Sequence, residues 1–249
     1  MKSRFYTKAG LDRFLSSLET SPKDSVTVYM APASFPKYAG SLALGVEYDA
    51  HVSEIRKAVE NKAVIDNAKK YGTGAGIFWS QLGKRIVLPP FPIAKNEVCE
   101  GKFDTSVLHD ILDRKYIVAV VLVNWGSYAL GVFDGVSLVE CKIGTGYIHK
   151  EHKKGGRSQK RFARRTEEQK KDFLRRVGNR IEESFGGYLP DHVFFGGNRL
   201  ILKPLIQECR YLQTRTDKIL SRVLGVRRAD REALVGILTE INKSMVFTF

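Results

Sequence analysis

The chain has 249 residues, of which 43% are hydrophobic, and a formal net charge of +14. That length accommodates one large domain or two of ordinary size, and that apolar content excludes global disorder. The charge excess favours a polyanionic partner, nucleic acid ahead of an anionic membrane surface.

Leu11, Phe14, Leu15 and Leu18 recur at helical spacing and predict a helix over about 7–19. "SVTVYM" (25–30) predicts a β-branched strand ending near Pro32. Val52, Ile55, Val59, Val64 and Ile65, set among charges, predict a helix over 48–70. "GAGIFWS" (74–80) and "RIVLPPFPI" (85–93) predict two strands joined by a turn, and the prolines bar a helix there. A short helix is expected over 104–115.

From Tyr116 the pattern changes. Three strands are predicted over 116–124, 127–135 and 136–144, with Asp134-Gly135 as a two-residue turn. A glycine-rich, basic stretch follows over 144–157. A long helix is expected from about 159 to 185, its apolar stripe made of Phe162, Phe173, Val177, Ile181 and Phe185. "DHVFFGG" (191–197) predicts a strand, "RLILKPLIQEC" a helix, "ILSRVLGV" (219–226) a strand and 230–245 a closing helix. The expected fold class is α/β with two domains. Residues 1–110 form an N-terminal α/β domain, and residues 115–249 form a mixed sheet with packed helices and a Gly-rich basic loop leading into a long helix.

Cys99, Cys141 and Cys209 lie far apart with no CxxC spacing, which excludes a zinc ribbon and argues against a secreted disulfide scaffold. The N-terminal MKSRFYTKAGLDRF has no apolar core of a signal peptide, and the longest apolar run, 117–123, is too short to span a bilayer. A soluble, cytoplasmic protein with no membrane contact is therefore expected.

The charge is concentrated. Between Lys150 and Arg180 there are thirteen Lys or Arg against four acids, a local +9. Lys160, Arg161, Arg164 and Arg165 crowd the start of the predicted helix, where the helix dipole disfavours cations. A solvated basic face is the bland alternative. The adjoining Gly155-Gly156 and the placement of the cations favour a phosphate waiting there, with few aromatics for base stacking.

These residues carry a family resemblance. "KKGGRSQKRFARR" (153–165), followed by "FLRRVGNRIEESF", resembles the central domain of eukaryotic and archaeal class-one peptide-chain release factors. There a Gly-Gly-Gln loop leads into a helix opening with Arg-Phe-Ala-Arg. The likeness extends to "YIVAVVLVNWGSYALGVF", "VFFGGN" and "ILSRVLGV", over roughly 115–249. One departure matters. With Arg161-Phe162-Ala163-Arg164 set on the family's run, Arg157 takes the place of the glutamine, and Gln159 follows two residues later. That displaced form, "GRSQ" (156–159), is similar to the Vms-type release-factor-like (VLRF) family of ribosome rescue. The codon-reading motifs of termination factors are not recognisable.

The resemblance implies a codon-independent peptidyl-tRNA hydrolase acting on stalled ribosomal complexes, without cofactor or metal, as a monomer. Its partners would be the rRNA of the large ribosomal subunit and peptidyl-tRNA. Gln159 is the candidate catalytic group, with Gly156 and Ser158 in its motif; Ser158 also suits a helix N-cap. Lys153, Lys154, Arg157, Lys160, Arg161, Arg164 and Arg165 are the candidate RNA contacts. Two other functions compete: a non-catalytic ribosome- or RNA-binding quality-control factor of the same fold, and a nuclease acting near the tRNA 3′ end, for which no acidic cluster is evident. "GTGAG" (72–76) lacks the Gly-Lys-Ser/Thr of a P-loop, "FFGGN" (194–198) reads as a tight β–α turn, and His149 and His152 read as phosphate contacts or exposed residues ahead of a catalytic base.

Overall fold

The computed structural model describes residues 1–18, 22–148 and 157–249, with residues 157–160 described by their backbone alone. The chain divides into two compact units, Met1–Arg114 with Thr239–Phe249, and Lys115–Leu238.

The first unit is built on a six-stranded antiparallel sheet. Its strands are β1 (Lys2–Tyr6), β2 (Val26–Met30), β3 (Ala75–Trp79), β4 (Lys84–Leu88), β5 (Glu97–Glu100) and β11 (Ser244–Thr248), in the order β1-β11-β4-β3-β2-β5. Helices α2 (Asp49–Val59) and α3 (Lys62–Tyr71) pack Val52, Ile55, Val59 and Val64 against one face, where Val26, Val28, Ile77 and Ile86 alternate inward. The single helix expected over 48–70 is divided at Glu60, because Asn61 caps α3 by accepting a bond from the Ala63 N–H at 3.0 Å. The opposite face receives α4 (Ser106–Asp113), and α1 (Lys8–Ser16) buries Leu11 and Leu15.

The second unit carries a five-stranded mixed sheet. Strands β6 (Ile117–Asn124), β7 (Ser127–Asp134), β8 (Ser137–Thr145), β9 (His192–Gly197) and β10 (Ile219–Leu224) lie in the order β10-β9-β6-β7-β8. β6 is parallel to β9, and β9 to β10; the pairs β6-β7 and β7-β8 are antiparallel. Val118–Val123 are all buried, because both faces of this central strand are covered. One face holds α5 (Arg157–Phe185), α6 (Arg199–Glu208) and α7 (Arg210–Gln213), through Phe173, Val177, Ile181, Phe185, Ile201, Leu205 and Leu212. The other holds α8 (Arg231–Ile241), whose Leu234 sits so close to Gly131 that a Cβ there would lie 2.9 Å from it. A mixed α/β architecture with two sheets is thus the fold.

The sequence pattern assigns all of 115–249 to the second domain. The chain instead returns: α8 ends at Ile241, and β11 inserts between β1 and β4 of the first sheet. The physical reason is the burial of Ser244–Phe247, which completes the apolar face of that sheet.

Candidate nucleic-acid interface

The long helix is anchored at the β6–β7 turn, Asn124 to Ser127. β8 leaves its sheet at Thr145, opposite Ser127, and the Gly146 N–H donates to the Gly126 carbonyl at 2.9 Å. A Cβ on Gly144 would lie 2.3 Å from the Tyr128 ring, and one on Gly146 would lie 2.7 Å from Phe173 Cδ2. Both glycines therefore serve close approach of backbone to an aromatic ring. Gly144 belongs to β8, so the glycine-rich stretch expected from 144 is shorter at its front. Gly146→Ala should lower stability by about 1–3 kcal/mol through overpacking against Phe173, read as a lower midpoint in urea denaturation.

Phe173 anchors the helix to the turn. It is buried, and its ring centroid lies 6.3 Å from those of Trp125 and Tyr128. Lys170 Nζ sits 5.5 Å above the Trp125 ring, a cation–π contact that holds the same corner. Farther along, Gly178 lets α5 meet the α6–α7 junction, where the Cys209 thiol donates to the Gly178 carbonyl at 3.6 Å. Burial pushes that thiol's pKa up, which makes it an inert packing group. Glu182 Oε1 accepts the Arg210 N–H at 2.8 Å and caps α7.

The other end of α5 is different in kind. From Phe173 back to Arg157 the helix runs sixteen residues, roughly 24 Å at the rise of an α-helix. Thr166, 3% exposed, is the first described residue along it to be buried. Arg161 to Arg165 are all exposed, and five consecutive residues cover more than a full turn. Every side of the helix there faces outward. Phe162, expected in the buried stripe, is 53% exposed, because no described strand lies beneath this part of the helix. Arg164 Nε pairs with Glu168 Oε1 at 3.1 Å, while Arg161 and Arg165 have no carboxylate in ion-pair range among the described residues. Cations at a helix N-terminus are unfavourable, and exposed turns gain nothing from packing.

α5 begins at Arg157, which puts Arg157, Ser158, Gln159 and Lys160 in its first turn. The cap role expected of Ser158 does not hold, since the helix already includes the residue before it. Gly156, Gly155, Lys153, Lys154, His149 and His152 lie outside the described residues. Among the described residues no group of three or more His, Cys, Asp or Glu is arranged to hold a metal ion. No helix among them is long and apolar enough to cross a membrane.

Residues 116–246, just over half of the chain, match the model of the Actinobacteria/Chloroflexi VLRF1 release factor. The chain belongs to that family. It is also similar to curated peptide chain release factor subunit 1 proteins. That of Methanopyrus kandleri is 28% identical over 101 residues, 40% of this chain and 25% of its own length. The eukaryotic subunit of Oxytricha trifallax is 36% identical over 89 residues, 35% of this chain and 20% of its own. The matches thus span about a quarter of these relatives' lengths. A solved archaeal translation termination factor, aRF1, aligns over 89% of this chain and 66% of its own, at 16% identity and a TM-score of 0.36.

Sequence reasoning missed the Asn124–Trp125 turn as an organiser, since its bonds reach residues far away in the chain. It also passed over a second cationic stretch between Arg199 and Arg231, whose signal was plain in the count of Lys and Arg.

Proposed function

We propose that this member of the VLRF1 release-factor family is a codon-independent peptidyl-tRNA hydrolase that frees nascent chains from stalled ribosomal complexes in the cytoplasm. The observation that carries the reading is the start of α5, exposed on all sides from Arg161 to Arg165 and rich in cations, with Gln159 in its first turn. A helix start on which none of the described residues packs is shaped to enter a partner. Its charge fits the phosphates of large-subunit rRNA and of tRNA, the contacts that fix register on RNA.

The reaction is hydrolysis of the ester between peptide and tRNA 3′ end. Water attacks the carbonyl carbon, the bond to the tRNA 3′ oxygen breaks, and that oxygen leaves with a proton as a hydroxyl. A glutamine amide both donates and accepts, so it can hold the water and steady the developing oxyanion without being drawn to phosphate. Glycine at 155 and 156 permits close approach to RNA. Lys153, Lys154, Arg157, Lys160, Arg161, Arg164 and Arg165 hold the segment on phosphate. Positioning inside the ribosome's own centre supplies most of the acceleration, so no general base on this chain is required.

The test is to incubate the protein with ribosome-bound peptidyl-tRNA and follow peptide and tRNA separately. Free peptide with intact tRNA is expected. Binding without release would make the protein a non-catalytic quality-control factor, and cleaved tRNA would make it a nuclease.

A further inference from the structure

Two stretches hold the whole charge excess of the chain. Residues 150–180 carry +9, and residues 199–231 carry nine Lys or Arg against Glu208, Asp217 and Asp230, a net +6. The remainder is close to neutral. Topology gathers three cations of the second stretch at one place. β6, β9 and β10 are mutually parallel, so the chain leaves all three at the same edge of the sheet. Arg199 opens α6 directly after β9, and Arg227 and Arg228 follow β10.

Two adjacent residues of β6 tie these segments together. The Asn198 N–H donates to the Val123 carbonyl at 3.0 Å, and Asn124 Nδ2 donates to the Arg227 carbonyl at 3.3 Å. β8 runs out at this same edge, where Gly146 bonds to Gly126. The edge therefore forms the base from which the exposed part of α5 projects.

The three arginines are exposed, and none has a carboxylate in ion-pair range among the described residues. The nearest acid in sequence, Asp230, is engaged: its Oδ1 accepts the Ala233 N–H at 2.9 Å at the start of α8. No acid sits in the first turn of α6, so Arg199, like the cations of α5, stands at the unfavourable end of a helix. Leu200 and Tyr147, 80% and 75% exposed, flank the same edge.

We infer that Arg199, Arg227 and Arg228 form a second phosphate-binding surface for the RNA backbone, at the foot of the basic helix. The inference rests on the proposed function and adds a contact to it. The three guanidiniums come from two separate connections and project from an open edge. That suits successive phosphates of a strand better than one small anion, and guanidinium matches phosphate geometry bidentately. The stretch of α5 from Thr166 back to Arg157, inserted alone, is a lever about 14 Å long. A second contact at its base would fix its direction.

The backbone bound would be that of rRNA or of tRNA, and two arms of the test separate them. The protein with Arg199→Ala, Arg227→Ala and Arg228→Ala is titrated onto large ribosomal subunits, empty or carrying peptidyl-tRNA, across a range of salt. Affinity should fall about tenfold or more, and the salt slope should shrink by about two. Loss on both kinds of subunit assigns the contact to rRNA; loss on loaded subunits alone assigns it to tRNA. Lys218→Ala, at the opposite edge before β10, should bind as wild type. Thermal unfolding guards against a folding defect, and Arg199→Gln with Arg228→Gln is the milder variant, expected to weaken binding in the same direction. Unchanged affinity and slope, with the unsubstituted protein binding and releasing peptide, would overturn the inference and leave the proposed function standing. Failure of the unsubstituted protein to bind subunits at all would overturn both.

Discussion

Gln159→Ala should abolish peptide release while leaving binding to the large subunit nearly intact. Removing one oriented hydrogen-bonding group from such a site typically costs on the order of a hundredfold or more in rate. Arg157→Ala should instead weaken binding, with release recovered at higher protein concentration or lower salt. The two positions compete for the central role. The resemblance carried by the Arg-Phe-Ala-Arg run implies Arg157 for the central position, whereas the GRSQ form implies Gln159. Chemistry separates them, because an arginine is permanently charged and pairs with phosphate sooner than it orients a neutral water. Both positions lie in the first turn of α5, and two helical residues are set about 200° apart around the axis, so neither can stand in for the other. The measurement is single-turnover release on isolated large subunits at saturating protein, with tRNA integrity followed on a gel. Full release by Gln159→Ala would remove this residue from the mechanism.

The elements that the sequence made legible are those whose burial is continuous and local. Ile117–Asn124 reads as a strand because it is an apolar run in the middle of a sheet, and Phe173, Val177, Ile181 and Phe185 read as one helical stripe because they share a single buried face. The strands that escaped are short and charged or sit behind another pattern. β1 (KSRFY) and β5 (EVCE) are edge strands with mostly exposed or half-buried side chains, so no alternation marks them. β11 follows a helical period that stops at Ile241, and its place between β1 and β4 depends on partners more than 150 residues away. The candidate site divides in the same way. Its charge and motif are visible in the residues, while the exposure of Phe162 and of Arg161 to Arg165 depends on where the sheet ends. Phe162 fits the spacing of the stripe, yet α5 passes beyond the sheet before reaching it.

That overhang sets the largest expected effect on binding. Replacing Arg161, Arg164 and Arg165 by Glu should reduce affinity for large subunits by at least about a hundredfold near 0.1 M salt. The dependence of log affinity on log salt should flatten by about two to three, roughly one for each phosphate that no longer meets a cation. The direction follows from counterion release, since each cation placed on a phosphate frees condensed ions and each carboxylate in its place repels. Folding should be spared. The three side chains are exposed, the lost Arg164–Glu168 pair and the like-charge pair that replaces it cost about half a kcal/mol each, and carboxylates near a helix N-terminus, the favoured charge there, offset that cost. The variant should therefore melt near the wild-type temperature while binding far more weakly, a combination that separates an RNA contact from a structural role. Equal affinity and equal salt slope would show the start of α5 to be a solvated face, and the overhang would then have no bearing on the ribosome.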